Sequence, residues 1–540
     1  TRRGVAANQT ITLRQADARA MEDRAPAEPT LQPFFVDQTQ QRGLTFTHQE
    51  NLFVDFDREP LLPRMLSRLG PALAVGDANG DGREDVFVGG ARGQRAALFR
   101  QQPGGTFERT TVPVLSAHRG YEDVAAAFFD ANGDGALDLY VVSGGADSME
   151  PSFYQDRLYL NDGAGTLRAV PSDYLPAITS SGAAVAPHDV DGDGDTDLFV
   201  GGRVVPGAYP EAPRSYLLEN DGTGRFTDVT ASASEGLPGG GLERPGMVTA
   251  AVWADLTGDG AKELVLAGEW MPVRAFARRA DGTFEEVSGA VGLSGTSGWW
   301  EALLATDMDG DGDVDVVGGN WGENGQVEAS PEGPVRVYAA DADGDGQVDP
   351  LMSHVLDGTE YPVYWRDALV EQVPPLEEAF PTYESFARAT MSDVLAALEL
   401  ENERLLEAHT FASSMFVNKG GRLEQQTLPS GFQLAPVRSW EEADIDGDGY
   451  AELLGAGNDY TVRPQWGRQD AGKGVALRRV EGGAWTAVPV DETGAWGAGD
   501  VRQIATVETP DGPLLVVVRN NNSLGVWSVR EQLERDRPAN

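Results

Sequence analysis

Cysteine is absent from this 540-residue chain, so no disulfide holds it together and any cross-links between its turns must be of another kind. Histidine is scarce. The five copies, His48, His118, His188, His354 and His409, show no zinc-ligand spacing, and each reads as a surface or turn residue rather than a general base. There is no serine nucleophile elbow and no phosphate-cradling glycine loop. No apolar stretch approaches the length of a membrane span. Basic residues are in deficit, 42 Lys and Arg against 85 Asp and Glu, and the formal charge of -43 excludes nucleic acid as a partner.

The chain is rich in one short acidic loop, Asp-x-Asp/Asn-Gly-Asp-Gly-x-x-Asp/Glu, written seven times with small departures. Positions 1, 3 and 5 put side-chain oxygens on one side of a tight turn, and glycine at position 6 lets the backbone reverse. The position 7 carbonyl and the position 9 carboxylate then close a shell of about six to eight oxygens. The expected ligands, the fourth of each set through its carbonyl, are Asp77, Asn79, Asp81, Arg83 and Asp85; Asp130, Asn132, Asp134, Ala136 and Asp138; and Asp189, Asp191, Asp193, Asp195 and Asp197. They continue with Asp255, Thr257, Asp259, Ala261 and Glu263; Asp307, Asp309, Asp311, Asp313 and Asp315; Asp341, Asp343, Asp345, Gln347 and Asp349; and Asp444, Asp446, Asp448, Tyr450 and Glu452. Oxygen donors without His or Cys select Ca²⁺, up to about seven ions if every loop is filled.

An EF-hand begins in the same way but needs a glutamate at position 12 between two helices. Position 12 is Val88, Val141, Val200, Leu266, Gly318, Met352 and Gly455, and the loops run on into strand-like stretches such as DVFVGG, DLYVVSGG and DLFVGG. Thr257 at position 3, and Glu263 and Glu452 at position 9, mark the two weaker loops.

Apolar strands lead into the loops (PALAVGD, VAAAFFD, TAAVWAD), a second strand leaves each toward Gly-Gly, and Asn/Asp-Gly turns join a third and fourth strand (RLYLNDGAGTLRAV, SYLLENDGTGRFTDV). Four antiparallel strands per repeat is the unit of a β-propeller blade, and the chain is read as all-β with seven or eight blades, the strand count leaning to eight. Loop spacing is blade-sized from 77 to 307 and irregular from 307 to 341 and 341 to 444. The Asp341 loop therefore need not start a blade of its own, and a helical insertion is expected over 366–410. The last unit, VRQIATVETPDGPLLVVVRNNNSLGVWSV, has three strands; PFFVDQT or LTFTHQ near the start would supply the fourth and close the ring. Residues 1–30 read as a polar lead segment, 31–530 as the propeller and 531–540 as a tail.

These loops and the trailing Gly-Gly make the chain similar to the FG-GAP/VCBS repeat family, whose propeller repeats also occur in integrin α subunits, and to bacterial VCBS proteins related to cartilage acidic protein. The resemblance covers about residues 33–530 and implies the propeller and its calcium. It implies function more loosely, as adhesion or recognition.

The calcium loops should share one face of the propeller, leaving the opposite face for a ligand. There the sequence places Arg92, Arg203, Trp270, Trp299, Trp300, Trp321, Trp440, Tyr460 and Asn520, planar and polar groups suited to stacking on a sugar or gripping a peptide. The alternative for the tryptophans is wedging between blades. DFDREP at Asp55 to Pro60 could line the axial pocket or serve in salt bridges. Calcium in millimolar supply is an extracellular condition and suggests a secreted or cell-surface protein. The start at Thr1 rather than Met is consistent with a removed signal or equally with a trimmed chain, and no signal is visible. The expected function is a non-enzymatic, calcium-stabilised propeller that recognises a protein or glycan. Two alternatives stand beside it: a subunit of an outer-membrane or extracellular assembly, and a calcium-dependent polysaccharide lyase or other carbohydrate-active enzyme.

Overall fold

The computed structural model describes residues 33–530 apart from 401–402, 446–448 and 480–484. The expected lead segment 1–30 and tail 531–540 lie outside the described residues.

Eight antiparallel sheets, each a path of four strands, make a β-propeller. Seven of them stand around one axis. Their first strands are Leu73–Gly76, Asp123–Phe129, Ser181–His188, Met247–Ala254, Ala302–Thr306, Val437–Ala443 and Val501–Val507. Each touches the next, and the last returns to the first, so these sheets are numbered blades 1 to 7. The axis is narrow because the first strands are alanine-rich: Ala125, Ala126, Ala183, Ala184, Ala250 and Ala251 face it with Glu301, Arg438 and Gln503, around a channel of about 270 Å³. Small side chains are what let seven strands approach one axis.

In blades 1 to 4 and 6 the four strands follow one another in sequence. Blade 7 takes its outermost strand from the N-terminal region: Phe35–Asp37 pairs antiparallel with the strand Gly525–Val529, Phe35 opposite Val529. PFFVDQT therefore closes the ring, as expected, while Thr47 of LTFTHQ makes only an isolated bridge to Ser523.

Blade 5 is split. Between its second strand, Asp315–Gly319, and its third, Ser414–Asn418, the chain leaves the ring and builds the eighth sheet. That sheet holds Val335–Ala340, Asp349–Leu356, Thr359–Pro362 and Arg404–Ala408, and its last strand packs against blade 4. So the count of eight sheets and the spacing that puts Asp341 outside the blade rhythm are both explained: the Asp341 loop joins the first two strands of the inserted sheet. The helices of the insertion run from Arg366–Gln372 to Met391–Leu398. They are shorter than the expected 366–410, because Arg404–Ala408 leaves helical geometry to pair with Val335–Ala340 along the sheet edge.

Candidate functional site

The residue at position 9 of every acidic loop, Asp85, Asp138, Asp197, Glu263, Asp315, Asp349 and Glu452, is the first residue of a second strand and is buried. Position 1 does different work. Asp77 Oδ1 accepts the backbone amides of Asn79 (3.2 Å), Gly80 (2.8 Å) and Asp81 (3.2 Å), and Oδ2 accepts that of Gly82 (2.7 Å). Partial burial works to raise the Asp77 carboxyl, but these amides outweigh it and hold the group below its ordinary value. Gly82 sits at φ 80. A Cβ there would meet nothing within 4 Å, so conformation rather than space demands glycine.

In three loops carboxylate oxygens gather within 4.8 Å of one another: Asp189, Asp191 and Asp197; Asp307, Asp309 and Asp311; Asp341, Asp343 and Asp349. Burial pushes Asp85, Asp138, Asp197, Asp315 and Asp349 up to about 6, and neighbouring loop carboxylates add to the rise. Asp85 Oδ2 is shut off from solvent without a hydrogen-bond partner. Such all-oxygen sets, too anionic for their burial, fit a hard divalent cation. In the Asp255 loop Thr257 Oγ1 turns to Glu263 Oε1 at 3.4 Å. Asp446 and Asp448 lie outside the described residues, and Tyr450 of that loop is exposed.

A second device ties three of the loops to the next blade. Asn161, at the end of the third strand of blade 2, donates Nδ2 to the Ala78 carbonyl of blade 1 (2.8 Å) and to its own blade's Leu137 carbonyl (2.9 Å). Asn220 does the same to Ala131 and Thr196, and Asn418 to Leu256 and Val314. The acceptors Ala78, Ala131 and Leu256 all occupy position 2 of an acidic loop. Blade 1 follows blade 7, which has no loop, and the longer Gln101 there reaches the Glu508 carbonyl instead.

The FG-GAP-like repeat profile matches residues 77–141, 142–200 and 255–318. The chain carries FG-GAP-like repeats. It is 23% identical to Cartilage acidic protein 1 of Xenopus tropicalis over 340 residues, 56% of this chain and 50% of that protein. With the Homo sapiens protein of that name it is 23% identical over 304 residues, 53% of this chain and 42% of that one. The chain thus spans about half the length of these relatives. Among solved structures, a lectin of Agrocybe aegerita that recognises non-reducing terminal N-acetylglucosamine aligns over 85% of this chain and 87% of that one, at 14% identity and TM-score 0.41. The V. cholerae biofilm matrix protein Bap1 aligns over 91% and 92%, at 12% identity and TM-score 0.35.

The face of the propeller opposite its acidic loops is not open. The segment between the ring-closing strand and blade 1 lies across it with Leu61, Leu62 and Leu66 buried, and its Arg64 reaches Glu301 of the channel lining. Arg64 donates Nη2 to Glu269 at 2.6 Å, contacts Glu301 through Nη1, and lies 3.3 Å from Asp459. Burial alone would raise Glu269; Arg64 and Arg203 overcome it and hold the carboxyl well below the ordinary range. Asp55 of DFDREP has a structural role, accepting the Leu66 and Ser67 amides at 2.9 Å each.

The nine residues expected to form an open ligand face are therefore reassigned. Trp270, Trp299 and Trp321 are buried with the covering segment and the insertion helices in one apolar cluster. Trp300 and Trp440 wedge between blades; a Cβ on Gly318 or Gly455 would stand 2.6 Å from their rings, which explains the trailing glycines of those strands. Arg203 is buried against Glu269 and Asn520 against the Gly70 carbonyl at 2.8 Å. Half-buried Arg92 pairs with Asp147 (3.1 Å) and stacks 3.9 Å over Phe153, and half-buried Tyr460 lies under Arg468. The aromatic and basic signals were real, but they mark a core made by the chain covering itself. His48 is corrected too: it is 1% exposed, not a surface residue. Sequence reasoning missed Arg64, because nothing local distinguishes one arginine before blade 1 from the others.

Proposed function

We propose that this FG-GAP propeller is a calcium-stabilised, non-enzymatic recognition or adhesion module working outside the cell, with a protein or glycan as its ligand. One observation carries the reading: the acidic loops of the ring stand on one face as preorganised oxygen cages, tied blade to blade by Asn161, Asn220 and Asn418, while the other face is closed by the chain itself. Bound cations then serve as cross-links in place of disulfides, and recognition falls to the loop face, the outer blade walls and the insertion. The buried arginines Arg64, Arg203 and Arg438 are all engaged with carboxylates, which speaks against a basic cleft of the kind a lyase uses. Isothermal titration and glycan-array binding with the calcium-loaded protein test this reading; the expected result is a calcium-dependent ligand, and broad panels that yield none overturn it.

A second reading, membership of a larger assembly, is favoured by the insertion. Trp365 and Tyr383 are 62% and 68% exposed on it, although large aromatics normally bury most of their surface. Light scattering of Trp365→Glu against wild type in an extract of the native source tests it: an unchanged assembly size sinks this reading.

A further inference from the structure

His48 and Glu50, two residues apart on the segment before blade 1, meet Glu122, just before the first strand of blade 2, on the covered face beside the seam where the ring closes. Each offers one ligand atom, and the three atoms lie within 4.8 Å of one another. We propose that these residues form a metal site of a different kind from the acidic loops, for one divalent cation of the zinc class.

The supporting hydrogen bonds are already in place. Glu122 Oε2 accepts the Arg92 backbone amide at 2.7 Å, leaving Oε1 free. Glu50 Oε1 accepts Asn520 Nδ2 at 2.5 Å, leaving Oε2 free. His48 Nδ1 takes a long 3.3 Å contact from the Asn521 amide, leaving Nε2 free. All three free atoms are shut off from solvent and have no hydrogen-bond partner. His48 and Glu122 are 1% and 2% exposed, and Glu50, half-buried as a residue, turns its free oxygen inward. Each glutamate is therefore held by one oxygen and presents the other, the arrangement by which neighbouring groups orient metal ligands, while the His48 contact is only a weak hold on the metal-free ring.

Charge leads to the same conclusion. Neither glutamate has an ion-pair partner among the described residues, since the nearby guanidinium groups are committed elsewhere: Arg92 to Asp147, Arg502 to Asp500 and Arg68 to the Phe53 carbonyl. Arg502 and Arg68 act on Glu50 only without a direct ion pair; two buried carboxylates so placed are costly, and one dication neutralises both. An imidazole nitrogen beside two carboxylates suits zinc and its neighbours better than calcium, which takes oxygen ligands. With Nδ1 accepting from Asn521, the ring proton sits on Nε2 in the metal-free protein. Binding moves it to Nδ1, and the long contact is the one given up. A cation here would pin the covering segment, through His48 and Glu50, to the start of blade 2 at Glu122.

The test uses the full chain, stripped of metal and resaturated with millimolar calcium, then titrated with Co²⁺ and followed by its visible absorption and by elemental analysis. The expected result is one Co²⁺ per chain, displaced by Zn²⁺ but not by excess Ca²⁺. His48→Gln and Glu122→Gln should each weaken binding at least tenfold while circular dichroism and calcium content stay unchanged. If either variant fails to fold, Glu50→Gln is read in the same way. The proposal is overturned if wild type binds no stoichiometric Co²⁺, if calcium displaces it, or if the variants bind as wild type does. None of these readouts depends on the recognition ligand, so failure here is distinct from failure of the proposed function.

Discussion

Asn220, at the end of the third strand of blade 3, places its side-chain amide 2.8 Å from the carbonyl of Ala131, the second residue of the acidic loop of blade 2. One side chain thereby couples the shape of a cation loop to the packing of the neighbouring blade. Replacing it should damage both. Asn220→Ala leaves the buried Ala131 and Thr196 carbonyls without that donor and is expected to cost about 1–3 kcal/mol in urea unfolding. Calcium affinity of the blade 2 loop should fall with it; loss of stability without loss of calcium would show that the two are uncoupled.

Removal of calcium should matter more at neutral than at acid pH. Asp85, Asp138, Asp197, Asp315 and Asp349 have carboxyls raised to about 6 in the metal-free fold. Because the folded value lies above the unfolded one, their contribution is fully present below the unfolded pKa of about 3.9 and is lost as pH rises through about 6. The chelated protein should therefore melt lower at pH 7.5 than at pH 5, and calcium should close most of that gap. Calorimetry on dialysed protein at both pH values decides; an unchanged melt on chelation at pH 7.5 removes structural cations from the loops.

Arg64→Ala removes one of two guanidinium partners from each of Glu269, Glu301 and Asp459, leaving Arg203 on the first and Arg438 on the other two. Breaking a buried pair by removing one partner costs about 3–5 kcal/mol, and the arginines that remain on all three carboxylates put this variant at the lower end. The second-site change Glu269→Gln in that background should recover part of the loss. Urea midpoints of the single and double variants provide the measurement, and strict additivity would argue against the cluster.

Asp156 is a titrating core group remote from any loop. It accepts the Tyr140 hydroxyl at 2.9 Å and the Ser143 amide at 2.8 Å, and burial, outweighing those donors and Arg157, lifts its carboxyl to about 7. Its stabilising contribution is present below about pH 3.9 and is lost as pH rises through about 7, with a limiting slope of about 1.4 kcal/mol per pH unit. Asp156→Asn should flatten the wild-type stability profile in that window. A variant profile parallel to wild type would mean that Asp156 does not titrate there.

Much of this was legible in the chain. The seven acidic loops, the strands on either side of them and the closure by Phe35–Asp37 obey local rules: a loop motif needs no partner to be recognised, and a three-stranded last blade needs a fourth strand. The insertion was visible as broken rhythm after Asp307, but its sheet was not, because Arg404–Ala408 is a strand only by pairing with Val335–Ala340. The tryptophans stood out correctly as special and were placed in the wrong environment. Trp299 and Trp321 are 0% and 2% exposed because a segment far away in sequence lies on them.

The sequence by itself determined the repeat, the oxygen-rich loops, the lack of disulfides and the all-β architecture, since each is written in short-range spacing that any copy of the motif would obey. Tertiary structure alone decided that seven first strands close the ring, that the eighth sheet stands outside it, and that Arg64 meets Glu269, Glu301 and Asp459. It alone brought His48, Glu50 and Glu122 together. The physical reason is the same in each case. Periodicity specifies which way a residue faces within its own blade, whereas burial, ion pairing and metal geometry depend on which distant segment arrives to cover it.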